Sequence, residues 1–303
     1  MGRSLSLVSR YIHDASRTVK FQSIVCRNAV QMIGFAAVLD RTPLQYRTVR
    51  HLLMSCCSRD RTGQLVGRTI TFDTLMDVYR RALSTVPRIL SLTAPTLHTL
   101  SLHFDWPSSE AFFPSHFPAL VELSISQPWA RWHLRSEELR QLASCPSLRR
   151  LVLNGFVYID DPTEIIDSIQ RFAPSLTHLC LPSEPASTMT LTGTPNPSVL
   201  LLALLQKRMD PPTSPENGVF PQTLELILLH DRKLIKDDLI LPDDPRFVLV
   251  SRSWIYARGS GPLALQWEYQ WLDGINYGQG FWNKSDASAV VGGVRMTLHG
   301  ARV

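Results

Sequence analysis

The residue types that could carry chemistry are present in this chain, but they are dispersed. Its nine histidines and five cysteines show neither His-x-x-x-His nor Cys-x-x-Cys spacing, so the sequence offers no zinc site. Ser260 lies in Gly-Ser-Gly, which falls short of a Gly-x-Ser-x-Gly nucleophile elbow and precedes no helical pattern. The acidic pairs at 237–238 and 243–244 have no further ligand at calcium-loop spacing, and no glycine-rich phosphate loop is present. We therefore expect no catalytic residue, no metal, no cofactor and no enzymatic activity.

A short phrase recurs along the chain and reduces each time to Leu-x-x-Leu-x-Leu. The first leucines of its five full copies are Leu97, Leu120, Leu148, Leu176 and Leu224. The steps between them are 23, 28, 28 and 48 residues, and a weaker copy places Val49 another 48 residues before Leu97. Steps of about 20 to 29 residues are typical of leucine-rich repeats, whose short strands bury their apolar positions between neighbouring coils. We interpret each 48-residue step as two coils, one of which is missing or degraded.

Helical patterns fill the longer connections between these strands. They lie at 72–86, 136–144 and 161–173, with serine, proline or acidic residues near the start and apolar residues on one face. The turns lack the usual asparagine or cysteine, so the coils should be irregular. The sequence therefore predicts an α/β fold, an irregular leucine-rich-repeat solenoid in which an arc of short parallel strands carries outer helices.

The alternation of side chains along a strand predicts where a partner binds. Side chains just before and just after each middle leucine point away from the leucines and form two rows on the concave face of the arc. We predict partner binding there, as is usual in solenoids. The residues concerned are Thr99, Ser101, Glu122, Ser124, Arg150, Val152 and His178. The alternative is that these side chains only pair with one another on the surface and bind no partner. Each exposed ion pair then contributes about 0 to 1 kcal/mol to stability.

Bulk properties exclude several other classes of function. The net charge of +5 comes from scattered basic residues rather than a Lys/Arg tract with interleaved aromatics, so we expect no nucleic-acid partner. No run reaches the roughly 18 apolar residues of a membrane helix, and the first residues are too polar for a signal peptide. An odd number of cysteines without paired spacing indicates reduced thiols. We therefore expect a protein of the cytoplasm or nucleus without a membrane partner.

Both ends of the chain carry patterns outside the repeats. At the start, a leucine-rich helical pattern is followed by an extended Tyr/Phe-x-Ser-Ile segment, through Leu5, Leu7, Val8, Ser9, Arg10, Ala15, Phe21, Ser23 and Ile24. In the segment 267–288, a Trp, a glycine-rich turn and a Phe-Trp pair follow the strand pattern at 246–251. The first pattern resembles the end of an F-box, and the second is similar to the closing segment, after the last strand, of F-box/leucine-rich-repeat proteins of mushroom-type (basidiomycete) fungi.

This resemblance implies a substrate receptor of a cullin-RING ubiquitin ligase. The F-box, through Leu5, Leu7 and Val8, would dock on the linker subunit of the ligase, while the repeats hold the protein to be ubiquitylated. The Leu-Pro-x-Glu opening of an F-box is not found before Leu5, so the F-box is truncated or degenerate. The alternative is a leucine-rich-repeat scaffold that does not recruit a ligase.

The expected organisation has three parts. Residues 1–27 are the helical remnant of the F-box and its extended segment, and residues 28–250 form the solenoid, with a Pro/Ser/Thr-rich insertion near 182–221. Residues 251–303 form an aromatic-rich cap, because an open stack leaves apolar surface in water. The aromatic residues of this cap are Trp267, Trp271, Phe281 and Trp282. An aromatic ligand pocket is the competing interpretation of the same residues.

Overall fold

The repeated phrases form strands in the computed structural model of this chain. It describes residues 21–56, 72–104, 116–126, 132–134, 144–154, 156–159, 162–183, 223–231, 247–251, 271–272, 274–275, 288–291 and 294–297. The strands are β1 (Ser23–Cys26), β2 (His51–Cys56), β3 (Thr99–Phe104), β4 (Glu122–Ser126), β5 (Trp132–Leu134), β6 (Arg150–Asn154), β7 (Phe156–Ile159), β8 (His178–Ser183), β9 (Leu226–Asp231), β10 (Phe247–Ser251), β11 (Ser288–Val291) and β12 (Val294–Thr297). The helices are α1 (Ala29–Arg41), α2 (Phe72–Thr93) and α3 (Pro162–Phe172), and a 3-10 turn at Leu44–Tyr46 follows α1.

One sheet contains ten of these strands, in the order β1-β2-β3-β4-β6-β8-β9-β10-β11-β12. The seven pairings from β1 to β10 are parallel, whereas β11 and β12 add to β10 in antiparallel fashion. The strands β5 and β7 form a separate two-stranded parallel sheet. The predicted α/β class with short parallel strands is therefore confirmed, and the strand order is compatible with a repeat-like arrangement.

The leucines of successive phrases lie in register across the sheet. The middle positions are paired directly from strand to strand and are each between 0 and 1% exposed: Leu52, Leu100, Leu123, Leu151, Leu179 and Ile227. The three helices bury their apolar sides in the same cluster, through Met32 and Leu39 of α1, Ile89 and Leu90 of α2, and Ile166 and Ile169 of α3. Because parallel strands are about 4.8 Å apart, this register makes the leucines one continuous apolar layer beneath the helices.

Main-chain hydrogen bonds repeat at the same point of each coil, just before its strand. The carbonyl of Arg50 accepts from the N–H groups of both His98 and Thr99, at 2.7 and 3.0 Å. The same double acceptance recurs at the carbonyls of Gln22, His98, Val121, Arg149 and Thr177. One carbonyl in each coil thus holds two N–H groups of the next coil, which sets the register without any side chain.

A proline turn precedes the first leucine in three coils. In the turn at Pro146, the N–H of Leu148 donates to the carbonyl of Cys145 over 3.0 Å, and the turns at Pro118 and Pro174 have the same bond. Proline suits the second position of such a turn because its φ is already near the required value and it lacks an N–H group. The Ser147 hydroxyl also donates to the Pro118 carbonyl at 2.7 Å, which ties this turn to the preceding coil.

The pairing of the strands at the two 48-residue steps distinguishes a missing coil from a degraded one. The strand β2 pairs directly with β3, and β8 pairs directly with β9, so no strand lies between the members of either pair. Each long step therefore adds one strand to the sheet instead of two, which agrees with a missing coil and not with a degraded coil that kept its strand in the sheet. The helix α2 occupies the first of these steps, while residues 184–222 of the second lie outside the described residues.

Two of the predicted helices lie in the described part of the chain. The helix predicted at 161–173 is confirmed as α3, whereas the pattern at 136–143 lies outside the described residues. The prediction at 72–86 is confirmed but too short, because α2 continues through Pro87 to Thr93. A proline inside a helix costs about 3 kcal/mol. The full burial of Ile89 and Leu90 beyond it offsets this cost.

The sheet extends into both predicted terminal segments. The strand β1 belongs to the segment 1–27 and pairs in parallel with β2, and a side-chain cap at Asn28, which accepts from the N–H of Gln31 at 3.0 Å, starts α1 directly after it. In the segment 251–303, β11 and β12 follow β10, so β10 is not the last strand. Trp271 is buried, whereas Trp267, Phe281 and Trp282 lie outside the described residues.

The leucine layer makes a prediction about stability. Leu123 lies at its centre and is 1% exposed, so Leu123→Ala should lower the free energy of unfolding by about 2 to 5 kcal/mol. Val121, two residues earlier, is 37% exposed, and Val121→Ala should change it by less than about 0.5 kcal/mol. Urea denaturation followed by circular dichroism measures both. Equal losses in the two variants would contradict the described packing.

Candidate partner-binding surface

Two rows of side chains cross the sheet where its parallel strands begin. The first row precedes the strands and contains Arg50, His98, Val121, Arg149, Thr177 and Glu225, which the repeated main-chain hydrogen bonds place on successive coils. The second row contains the first residues of the strands, which pair directly in the order His51, Thr99, Glu122, Arg150, His178 and Leu226. We call these two rows the strand-start edge.

Four of the predicted partner-binding residues lie in the second row of this edge. Thr99, Glu122, Arg150 and His178 occupy neighbouring strands at matching positions, and each is partly exposed. The structure therefore brings these four residues together in the predicted order. Whether a partner binds them stays a prediction.

Polar contacts within the edge hold several of these side chains in place. The Arg150 guanidinium lies 3.6 Å from the Glu122 carboxylate, and their side chains are 33% and 14% exposed. Such a partly solvated pair contributes about 1 kcal/mol or less, so it orients the side chains more than it stabilises the fold. The Thr99 hydroxyl is hydrogen-bonded to Nδ1 of His51 at 3.1 Å, and the Thr177 hydroxyl to Nδ1 of His178 at 2.8 Å.

His51 lies beside basic residues at one end of the edge. Burial lowers the pKa of His51, and the nearby His98 and Arg50 lower it further. The Arg50 guanidinium carries a permanent positive charge, which disfavours a second cation close by. The edge around β2 and β3 therefore favours an anionic group over a cationic one.

The other three predicted partner-binding residues are buried. Ser101, Ser124 and Val152 are 1%, 2% and 1% exposed, and Leu53 and Cys180, which lie in the same register, are equally buried. These side chains are not available to a partner, which corrects the expectation that both rows are open. The physical reason is that the second face of the sheet is covered as completely as the leucine face. The accessible surface lies instead at the strand-start edge.

The buried second face is partly polar. Ser101 and Ser124 are directly paired across β3 and β4, and neither hydroxyl has a hydrogen-bond partner in the described part of the chain. His103 lies two residues further along β3, next to Ser55 of β2, and burial lowers its pKa to about 3. Burial also raises the pKa of the Cys180 thiol, so this thiol is protonated at neutral pH. The imidazole of His103 is also uncharged at neutral pH.

The first row of the edge escaped the sequence analysis. Arg50, His98, Val121 and Arg149 are exposed, although their phrase positions directly follow the buried first leucines. Only residues that flank the middle leucine were predicted to bind a partner, because the strand faces were expected to be open. The repeated Leu-x-x-Leu spacing could have identified this row. The residue directly after the first leucine lies in the turn before the strand, where side chains do not yet alternate between the two faces of the sheet.

The remaining predicted sites can be placed as follows. In the described residues, no group of three or more His, Cys, Asp or Glu is arranged to hold a metal ion. No helix in the described ranges has both the length and the apolar character needed to span a membrane. The ligase-docking residues Leu5, Leu7 and Val8 lie outside the described residues, as do Ser260 and the acidic pairs 237–238 and 243–244.

The buried His103 predicts how stability depends on pH. In the unfolded chain a histidine has a pKa of about 6.5, whereas in the fold the pKa of His103 is about 3. Between these values the unfolded state binds one proton more, so stability falls as the pH falls, by about 1.4 kcal/mol per pH unit below 6.5. Between pH 6.5 and 5 the wild type should lose about 2 kcal/mol of unfolding free energy through His103, and His103→Asn should remove this loss, as measured by urea denaturation at both pH values. His116→Asn, which replaces an exposed histidine, should keep the wild-type slope; equal slopes in all three proteins would contradict the assignment.

Comparisons of this chain with known protein families, with curated proteins and with solved structures give no match. Any assignment of function therefore depends on the geometry of the strand-start edge and on the sequence patterns themselves.

Proposed function

We propose that this chain is a protein-protein interaction module of the leucine-rich-repeat type, which binds a protein target at its strand-start edge. One observation carries the proposal: successive coils present partly exposed polar side chains in continuous register, from His51 on β2 to His178 on β8. Such a row offers a long, shallow contact surface, as repeat proteins use for protein partners. In the revised surface, Thr99, Glu122, Arg150 and His178 contact the target, while Ser101, Ser124 and Val152 support them from the interior.

The finer architecture in this proposal is an irregular solenoid with an aromatic cap. The direct pairing of equivalent phrase positions and the repeated double-accepting carbonyls support the solenoid, because both features recur once per coil. The burial of Trp271 supports an aromatic C-terminal segment that shields apolar surface. The antiparallel strands β11 and β12 add to this end, where they complete the hydrogen bonding of β10.

We further propose that the module is an F-box-like substrate receptor of a cullin-RING ubiquitin ligase. The sequence pattern that includes Leu5, Leu7 and Val8 motivates this step. A structural observation supports it, since β1 follows that pattern closely and pairs directly with β2. A docked N-terminal segment would therefore be followed along the chain by a strand that is hydrogen-bonded to β2 of the target-binding surface. The alternative is a repeat scaffold without ligase recruitment.

Ligase recruitment predicts an interaction with the cullin linker subunit. A pull-down with the purified linker subunit should recover this chain, or this chain extended upstream into genomic sequence. The double variant L5D/L7D should abolish recovery, because charges replace the apolar contacts. The matched control S4D/S6D adds the same charges to the same segment and should retain recovery. If no version of the protein binds the linker subunit, the scaffold alternative replaces the receptor.

The position of the target surface predicts where cross-links form. A photo-reactive benzoylphenylalanine at His98 lies on the strand-start edge, and the same residue at Arg81 lies on α2; both positions are exposed. Illumination in cells should cross-link a defined protein at position 98, identified by mass spectrometry, and much less of it at position 81. Equal cross-linking at the two positions would reject the edge as the target surface.

A further inference from the structure

The exposed charges of the strand-start edge are unevenly distributed. Arg50 and Arg149 are exposed in the first row, and Arg150 is partly exposed beside them. The acidic Glu122 is only 14% exposed and is turned toward Arg150, so it neutralises part of one cation and presents little negative charge to solvent. Glu225 is the exposed acid of these rows and lies two coils beyond Arg149. The surface from β2 to β6 is therefore cationic.

An exposed apolar side chain lies within this cationic surface. The N–H of Val121 donates to the His98 carbonyl at 2.8 Å, and the Val121 carbonyl accepts from the N–H of Arg149 at 2.9 Å. Val121 thus lies between the coils of His98 and Arg149 in the first row. With strands about 4.8 Å apart, Arg149 is about 5 Å away along the row and Arg50 about 10 Å away on the other side.

We propose that the target segment bound at this edge is an acidic peptide in an extended conformation, with one apolar side chain over Val121 and carboxylates on both sides of it. This inference rests on the proposed function, because it names the chemistry of the partner of the same surface. The span from Arg50 to Arg149 is about 14 Å, which about five extended residues cover. Arginine guanidiniums bind carboxylates through paired hydrogen bonds, so they suit such a segment well.

A nucleic acid fits the same cations less well. A nucleic acid carries a phosphate at every step of its backbone, whereas here the apolar Val121 separates the coils of His98 and Arg149, and the acidic Glu225 ends the cationic surface. Single-stranded nucleic acids also require aromatic side chains on which bases stack, and the described residues of both rows include none beyond the imidazoles of His51, His98 and His178. Val121 instead offers a contact for an aliphatic side chain. These features favour an acidic protein segment.

A defined probe tests this inference with the full chain. The probe is a fluorescein-labelled peptide with one leucine and three glutamates on each side, and binding is measured by fluorescence anisotropy at pH 7 and 50 mM NaCl. Arg149→Glu should weaken binding about fivefold and R50E/R149E about twentyfold, because attraction becomes repulsion at each position. Arg81→Glu, the matched reversal of an exposed arginine on α2, should stay within about twofold. Raising NaCl to 500 mM should weaken wild-type binding through screening.

A probe of opposite charge distinguishes a loss of charge recognition from misfolding of the variant. A lysine version of the probe should bind R50E/R149E more tightly than it binds the wild type, a gain that an unfolded variant would not show. The inference is overturned if the glutamate probe does not bind, if R81E weakens binding as much as R149E, or if the lysine probe binds the wild type equally well. The inference is also overturned if a twenty-nucleotide oligothymidylate binds the wild type more tightly than the glutamate probe does, and if R149E and R50E/R149E lose that binding.

These results are distinguishable from failure of the proposed function. If cross-linking at His98 captures a target that lacks an acidic segment, the interaction module stands and the acidic specificity is wrong. If the glutamate probe binds as expected while cross-linking at His98 and Arg81 is equal, the charge preference stands and the target surface lies elsewhere.

Discussion

A strand of five or six residues cannot bury a row of leucines by itself, so each strand of this sheet must share its leucines with its neighbours. The paired leucines Leu100, Leu123 and Leu151 meet this constraint because they occupy the same position on adjacent strands. A shift of one residue in any strand would move its leucines out of the layer beneath the helices and place the small side chains of the second face, such as Ser101 and Ser124, in that layer instead. The double-accepting carbonyls and the proline turns prevent such a shift, and the surface that we assign to partner binding inherits its order from the same register.

The second face of the sheet determines where that surface can be. Ser101 and Ser124 are as deeply buried as the leucines on the opposite face, so neither face of β3 and β4 is open to a partner at these positions. Among the described residues of the sheet, the accessible positions that recur from strand to strand lie where the strands begin. There each coil contributes one residue from the turn and one from the strand. Charge, hydrogen bonding and an apolar contact can therefore alternate over short distances, which suits recognition of a short extended segment.

Much of the fold was predictable from the sequence, and the target surface only in part. The register of Leu123 with its neighbours followed from spacing alone, because the repeated Leu-x-x-Leu-x-Leu phrase aligns with its next copy in only one way that pairs leucine with leucine. The order of Thr99, Glu122 and Arg150 followed from the same register. The burial of Ser101 was not predictable, since small polar residues occur on open and on covered faces. The direct pairing of the strands at both ends of each 48-residue step was also not predictable, because the number of residues between two strands does not show whether a further strand lies between them.

The carbonyls that each accept two N–H groups have a consequence for how this surface can evolve. At the strand-start edge the coils are held to each other by the main chain, through atoms that every amino acid except proline supplies equally. Replacing the side chain of His98 or Arg149 leaves those bonds in place. Point substitutions can therefore change the charge and shape of this edge while the register of the strands stays unaltered.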